Sequence, residues 1–342
     1  MKLSDFDYNL PPELIAQMPM EPRDHSRLLV YENGTVKHQH FFDLPKFLKL
    51  GDVLVLNNSK VFPARLLGAR QNTGGKAEIF LLKSQADNIW ECLVGQARTH
   101  VGLVVEFDQG LSGELIERLD NSWLIKFNKV GDEFMKIVEQ IGHTPIPPYI
   151  KTLDSQEIQK KYQTVYAQEQ GSVAAPTAGF HFTLQLLDKL SQQGVQIEYV
   201  TLHVGLGTFA PVKTEQIEIH KMHSEYYQLD AEVWQRIKQA KVENRRIISV
   251  GTTATRVLES VAVNNKLSGW TDIFIYPGYE FKIIDGLITN FHLPKSTLLM
   301  LVVAFLENKG VKDGPAEIKK IYQEAIEQQY RFYSFGDAML IL

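Results

Sequence analysis

Between residues 61 and 130 apolar and polar side chains alternate in short runs, at 64–69, 77–83, 90–94, 103–107, 113–118 and 123–127. Alternation with a period of two turns one face of an extended chain toward a core and the other toward water, so each run predicts a strand. Thr73-Gly74-Gly75, Asp87-Asn88, Asp108-Gln109-Gly110 and Asp120-Asn121 separate the runs. Those residue types accept turn conformations, and their spacing is that of a small antiparallel barrel or sandwich. Upstream, strands at 28–31 and 35–38 flank Asn33-Gly34, the pair that favours a type I′ hairpin turn, and 52–57 reads as a continuous apolar strand.

The pattern changes after 142–150, where Pro145, Pro147 and Pro148 favour extended backbone. Helical periodicity follows at 155–168, 184–193, 231–243, 254–263, 296–307 and 315–328, with strands at 196–203, 246–250 and 272–276. Such alternation predicts an α/β fold, a mixed sheet with flanking helices. With the N-terminal strands joined to that sheet, residues 1–60 and 151–342 form a discontinuous α/β domain. Residues 61–150 are then an inserted small antiparallel β-barrel domain with its linker.

Composition narrows the function classes. The 342 residues, 44% hydrophobic and 22% charged, suffice for one large core or two smaller ones. A net charge of −4, from 36 Lys and Arg against 40 Asp and Glu, argues against a nucleic-acid binder held by overall positive charge and leaves room for a local basic groove. The single cysteine, Cys92, allows no internal disulfide and no multi-thiolate metal site, which fits a reducing cytoplasm. The start of the chain lacks the apolar stretch of a signal peptide, and the longest apolar run, 298–306, is too short to span a bilayer, so no membrane role is expected.

Two stretches imitate nucleotide loops. Residues 68–77 contain Gly75-Lys76 but no following hydroxyl, and read as a hairpin turn. Gly205-Leu206-Gly207-Thr208-Phe209-Ala210 has fingerprint spacing, yet Pro211 stands where the helix should continue; its glycines still let a ligand approach backbone. Gly251-Thr252-Thr253 joins a strand to a helix, where hydroxyls cap the helix and free N–H groups can hold an anion, a plain cap being the alternative. His181, His203, His220, His223 and His292 all fall in the α/β part. His220 and His223 have the spacing of ligands on a helix face, but no third ligand accompanies them. Acid–base or hydrogen-bonding histidines are the better reading, and no metal is expected. Residues 174–183, Asn57-Asn58-Ser59-Lys60 and Thr289-Asn290-Phe291-His292 are polar or small segments of the kind that bind ligands in α/β proteins, the last two placed directly after apolar strands. Tyr330-Arg331-Phe332-Tyr333-Ser334-Phe335 sets aromatics around an arginine, a composition that stacks a base.

Together with Arg23-Asp24-His25-Ser26-Arg27, residues 51–65, Tyr162-Gln163-Thr164-Val165-Tyr166, residues 201–209, His220-Lys221-Met222-His223-Ser224-Glu225-Tyr226, residues 273–278 and residues 330–339, these stretches carry a resemblance. Over essentially its whole length the sequence resembles the S-adenosylmethionine:tRNA ribosyltransferase-isomerase family of queuosine biosynthesis. The resemblance implies an α/β domain interrupted by a small barrel. It implies as partner a tRNA with a GUN anticodon, carrying 7-aminomethyl-7-deazaguanine at the wobble position. The ribosyl part of S-adenosylmethionine is joined to that aminomethyl group, adenine and methionine leave, and epoxyqueuosine results. S-adenosylmethionine is a substrate there, and no metal or redox cofactor is implied.

That chemistry calls for a general base at the carbon beside the sulfonium, with His203, His223, Glu225 and His181 as candidates, and for a donor to the departing adenine, with His292 and Asn290 as candidates. S-adenosylmethionine is assigned to Pro176, Thr177, Ala178, Gly179 and Phe182, to Gly205, Gly207, Thr208 and Phe209, and to Gly251, Thr252, Thr253, Arg256 and Asn290. Gly251-Thr252-Thr253 and Arg256 are the partners for the methionine carboxylate. The tRNA is assigned to Arg23, Arg27, Asn57, Lys60, Arg65, Arg331, Tyr333 and Phe335, with an internal ion pair as the alternative for each arginine. The sequence departs from the family at Ser59-Lys60, where Thr-Arg is more familiar, and at Lys295, where relatives carry Glu, so no catalytic carboxylate is expected there. A metal-dependent hydrolase built on His220 and His223 and a non-catalytic RNA-binding module are the rival readings. A cytoplasmic monomer is expected.

Overall fold

The computed structural model describes residues 1–95, 98–120, 122–145, 150, 156–205, 212 and 214–342, and residues 156 and 157 by backbone alone. The chain opens with β1 (Arg27–Glu32), β2 (Thr35–His40), β3 (Val53–Asn57) and β4 (Ser59–Val61). Asn33 and Gly34 take φ of 51° and 76°, the left-handed pair that folds β2 back on β1 as their identity predicts. Next come β5 (Arg65–Arg70), β6 (Lys76–Ala86), β7 (Ile89–Gly95), β8 (Val104–Glu106), β9 (Ser112–Arg118), β10 (Trp123–Phe127) and α1 (Gly131–Ile141). The remainder is α2 (Gln156–Lys161), β11 (Glu169–Ser172), α3 (Leu184–Gln192), β12 (Gln196–Leu202), β13 (Glu225–Gln228), α4 (Ala231–Val242), β14 (Ile247–Val250), α5 (Gly251–Asn264), β15 (Ser268–Thr271), β16 (Gly286–Asn290), α6 (Thr297–Asn308), α7 (Gly314–Glu327) and β17 (Ala338–Ile341).

Nine strands form a mixed sheet in the order β15-β13-β12-β3-β14-β16-β17-β1-β2. The N-terminal strands do join strands from the far end of the chain: β3 pairs in parallel with both β12 and β14, and β1 with β17. Alternate residues serve two cores. Leu29, Tyr31, Val53, Val55, Met339 and Ile341 face the core shared with α5, α6 and α7. Leu28, Val30, Leu54, Leu56, Ala338 and Leu340 face the one shared with α3. Burial on both faces is why these strands read as unbroken apolar runs and not as alternation. It also explains α6, whose residues Leu299 to Leu306 are all buried. Among the described residues no helix is long and apolar enough to cross a membrane.

Strands β5 to β10 close a six-stranded barrel in the order β10-β7-β6-β5-β8-β9, every pairing antiparallel. Its core of Leu66, Ile79, Leu81, Leu115, Ile125 and Phe127 is completed by Phe134 and Val138 from α1. The short parallel pair β4 and β11 links the barrel to the sheet.

Three local expectations need correction. The helix read at 155–168 is helical only to Lys161, because the Gln163 amide leaves the helical pattern to pair with the Val61 backbone, donating to its carbonyl (2.7 Å) and accepting from its N–H (3.1 Å). The strand read at 272–276 lies instead at Ser268–Thr271; its partner β13 begins at Glu225, opposite Thr271, so the following residues have no ladder to join. Helix α5 begins at Gly251, so Thr252 and Thr253 occupy its first turn instead of capping it.

Asp337 fastens the end of the chain to its beginning. Its buried carboxylate accepts the Arg27 N–H (2.9 Å), the Arg331 N–H (2.8 Å) and the Arg331 guanidinium (3.2 Å), which registers β17 against β1. Asp337→Ala strands two backbone donors and a cation, so a loss of about 2–4 kcal/mol is expected in urea unfolding. Asp337→Asn, which keeps an acceptor, should lose about half as much; a change below about 0.5 kcal/mol for both, the level of a neutral surface substitution, would remove this role.

Candidate functional site

The parallel strands β3, β12, β14 and β16 end on one edge of the sheet, and β17 and β1, which run antiparallel to β16, begin there. Loops at this edge enclose a cleft of about 550 Å³, counting the space open to solvent. Its walls come from Pro176, Thr177 and Ala178, from Gly251, Thr252 and Thr253, from Asn290 and His292, and from Tyr333 and Ser334. Four segments distant in sequence thus meet. Gly251 makes the corner possible: φ is +81°, and a Cβ there would stand 3.3 Å from the Ala178 methyl.

The cleft wall carries unfilled polar valences. The Thr253 hydroxyl and the Asn290 amide oxygen are buried and have no hydrogen-bond partner among the described residues. The Asn290 orientation is fixed by its NH₂ group, which donates to the Tyr333 carbonyl (3.0 Å) and to His181 Nε2 (3.3 Å). Because Nε2 accepts, His181 holds its proton on Nδ1 and donates it to Ser26 Oγ (2.8 Å). The first-turn N–H groups of α5 cannot be met within the helix and present the positive end of its dipole to the same space.

Burial sets the protonation of the histidines. Desolvation, with smaller help from Arg331 and Arg23, pushes His181 down to about 3. Desolvation alone takes His292 to about 3, and its Nε2 shares a hydrogen bond with Thr289 Oγ1 (2.8 Å). Both are neutral at physiological pH.

A second, larger concavity of about 2340 Å³, counting open solvent, runs between the barrel and the sheet. Val204 borders both spaces. His203, Gly205, His223 and Glu225 line this groove. His203 is lowered from its ordinary value by burial, partly opposed by Glu169, and its Nδ1 is buried without a partner. It packs on Gly171, whose φ of +147° suits glycine and where a Cβ would lie 2.8 Å from the imidazole. His223 is exposed on the groove wall.

Several sequence assignments do not survive the packing. Glu225 is bound by the Arg256 guanidinium and the Gly205 N–H (2.9 Å), and Arg256 also donates to the Thr271 carbonyl (3.3 Å). Both carboxylate oxygens are therefore engaged, and the arginine is not available to a substrate carboxylate. Phe182 is fully buried against Phe41, and Gly179 packs on the Tyr166 hydroxyl, so neither faces the cleft. Gly207, Thr208 and Phe209 lie outside the described residues.

The basic residues divide in the same way. Arg23 donates to the Gln163 (2.6 Å) and Lys161 (3.2 Å) carbonyls, and Arg27 donates to the Gln328 carbonyl while lying 3.7 Å from the Tyr330 ring centre. Arg65 pairs with Glu78, and Arg331 with Asp337. Arg65 and Arg331 thus form the internal ion pairs of the alternative, whereas Arg23 and Arg27 contact backbone carbonyls and a ring. Asn57 is buried and clamps β3 to β12, donating to the Leu202 carbonyl (3.1 Å) and accepting the Leu202 and Ser59 N–H groups (3.1 Å each). Phe335 is buried with Tyr162 and Phe180. Lys60 is exposed, and Tyr333 lines the cleft. Lys295 pairs with Asp7 (2.6 Å). His220 packs edge-on against Phe274, and among the described residues no three His, Cys, Asp or Glu side chains are grouped to hold a metal.

Sequence reading missed the groove's aromatic wall, Tyr226 and Trp270, and the barrel face opposite it, including Lys83 and Trp90. Tyr226 stands in a recognised segment, but nothing in the spacing of the others marks them, because strands remote in sequence bring them together.

Comparison with known proteins gives a consistent result. Residues 3–341 match a family model described as queuosine biosynthesis protein. The chain is 52% identical over 351 residues to a protein of Desulfitobacterium hafniense named S-adenosylmethionine:tRNA ribosyltransferase-isomerase, with 100% of both chains covered. It is 52% identical over 349 residues to a protein of that name from Carboxydothermus hydrogenoformans, again with 100% of both covered. It is also similar to the crystal structure of an S-adenosylmethionine tRNA ribosyltransferase from Thermotoga maritima, at 37% identity and a TM-score of 0.56, covering 99% of this chain and 100% of that one.

The buried histidines make stability depend on pH. Folded, His181 and His292 remain neutral down to about pH 3, whereas an unfolded histidine takes a proton below its ordinary value of 6.5. The unfolded chain therefore binds more protons in between, and stability, complete above pH 6.5, falls toward pH 3 by up to about 1.4 kcal/mol per pH unit for each histidine. Urea unfolding at pH 7 and pH 5 checks this. The loss between them should shrink in His181→Gln, and an undiminished loss would contradict the neutral assignment.

Proposed function

The chain belongs to the queuosine biosynthesis protein family, and from that premise we propose that it is an S-adenosylmethionine:tRNA ribosyltransferase-isomerase. It moves the ribosyl group of S-adenosylmethionine onto the aminomethyl group of 7-aminomethyl-7-deazaguanine at the tRNA wobble position, isomerises it to the epoxyqueuosine ring, and releases adenine and methionine. The observation that carries this reading is the pair of concavities that share Val204 in their walls. One is small and partly enclosed, its mainly apolar wall set with a few polar atoms, as suits a nucleoside sulfonium; the other is wide enough for a loop of RNA.

S-adenosylmethionine occupies the cleft. Its carboxylate lies at the N-terminus of α5, where the first-turn N–H groups and the Thr253 hydroxyl supply donors without a competing partner. The Asn290 amide oxygen accepts from a substrate N–H, and neutral His292 stands beside the departing adenine. His203 is the general base: burial keeps it neutral, and it lines the groove next to Val204, which also lines the cleft. A sulfonium acidifies its neighbouring carbon, so a weak base suffices when it is positioned. Glu225 and Arg256 position the wall behind Gly205.

The reading takes a tRNA with a GUN anticodon as partner, needs no metal or redox cofactor, and places a monomer in the cytoplasm. Lys60 is the remaining basic candidate for phosphate from the sequence set, and Tyr333 closes the cleft.

The deciding experiment follows adenine and methionine release from S-adenosylmethionine with and without an anticodon stem-loop carrying the aminomethyl base. Release that requires the modified RNA, with the RNA gaining the ribosyl mass, is expected; absence of release by folded, RNA-bound protein would overturn the reading. Within that assay His203→Ala should lower kcat by about 10²-fold or more with RNA affinity nearly unchanged, as for loss of a general base. Thr253→Val should raise KM for S-adenosylmethionine by about 3- to 10-fold, the worth of one hydrogen bond. An equal loss of RNA affinity in His203→Ala would remove it from the chemistry.

A further inference from the structure

Beside His203 the groove carries two further aromatic side chains, Tyr226 and Trp270, that have no part in the reaction scheme. The His203 ring lies parallel to Tyr226, with centres 6.1 Å apart and planes at 12°. Tyr226 meets Trp270 edge to face at 5.5 Å, the two being direct cross-strand partners on β13 and β15. Trp270 is 48% exposed, and the ammonium of Lys83 reaches across from the barrel to lie 3.7 Å from its ring centre. The indole is half open on an edge strand, and the cation resting on it is attracted by the ring quadrupole.

We propose that Trp270 is the stacking platform for a base of the anticodon loop, and that Lys83 holds the platform's face in the free protein and turns to a phosphate when RNA arrives. This deepens the tRNA reading and rests on it. Three features favour a nucleic-acid occupant. Flat faces in a wide groove suit unstacked bases, which bind on aromatic rings with little regard to sequence. Val204 lines both the groove and the cleft, so RNA in the groove lies on the other side of that residue from the sulfonium. Its carboxylates are mostly engaged or peripheral: Glu225 is bound by Arg256, Glu91 accepts from Ser122 (2.7 Å), and Asp120 is exposed on the barrel rim. Exchanging the ammonium for a base preserves a π contact on the indole and frees a positive charge beside the incoming backbone.

Fluorescence anisotropy of a labelled anticodon stem-loop carrying the aminomethyl base tests this without turnover. Trp270→Ala should weaken binding by at least about fivefold, the lower end of the loss of one base–aromatic stack, and Trp270→Phe by less than about twofold. Trp270→Leu, which keeps apolar bulk without a ring face, guards against a folding defect and should behave like Trp270→Ala. Lys83→Gln should flatten the dependence of log K on log salt by about 0.7, the value for one phosphate contact on a single strand. Affinity within twofold of the parent for both Trp270→Ala and Trp270→Leu, or failure of the parent itself to bind the stem-loop, would overturn the platform. Loss of adenine release with Trp270-dependent RNA binding intact would instead overturn the ribosyl-transfer reading and leave the platform standing.

Discussion

Parallel pairing of β3 between β12 and β14 is the constraint on which the rest of the molecule depends. A segment laid down before the barrel sits at the centre of a sheet completed by strands that follow it. The barrel must therefore leave and re-enter the sheet at neighbouring points. The β4–β11 pair and the Gln163 amide on Val61 form that neck. Closing so long a loop costs chain entropy before any contact is gained, and the cost is offset by apolar burial on both faces of the central strands.

The same pairing decides where ligands meet the protein. With four strand ends and two strand starts on one edge, loops after Asn57, Leu202, Val250 and Asn290 and before Ala338 share a single rim. The cleft and the groove are both consequences of that rim, the one between loops of the sheet, the other between the sheet and the barrel that hangs from it.

Most of the charge near the rim is used to hold it. Asp337 gathers Arg27 and Arg331, Glu225 gathers Arg256 and Gly205, and Asn57 stitches two strands. Buried polar contacts of this kind add less to stability than their number suggests, since each group gives up hydration to form them. Their worth here is geometric. They leave a few buried atoms, such as Thr253 Oγ1, Asn290 Oδ1 and His203 Nδ1, without a partner among the described residues.

The sequence by itself determined the local elements: the period-two barrel strands, the Asn33-Gly34 hairpin, the doubly buried strands and most helices. It also displayed the segments of the site, since 174–178, 251–253, Asn290 and His292 do come together. Those features depend on neighbours in the chain, where identity and spacing carry the physics. Tertiary structure alone decided which polar residues are free. Arg23, Arg27, Arg65, Arg331, Glu225 and Asn57 look like reagents in the sequence and prove to be fastenings, because their partners come from other parts of the chain. Trp270 and Lys83 look ordinary and face each other across a groove for the same reason: contact between remote strands is set by sheet order and by barrel placement, which no local pattern encodes.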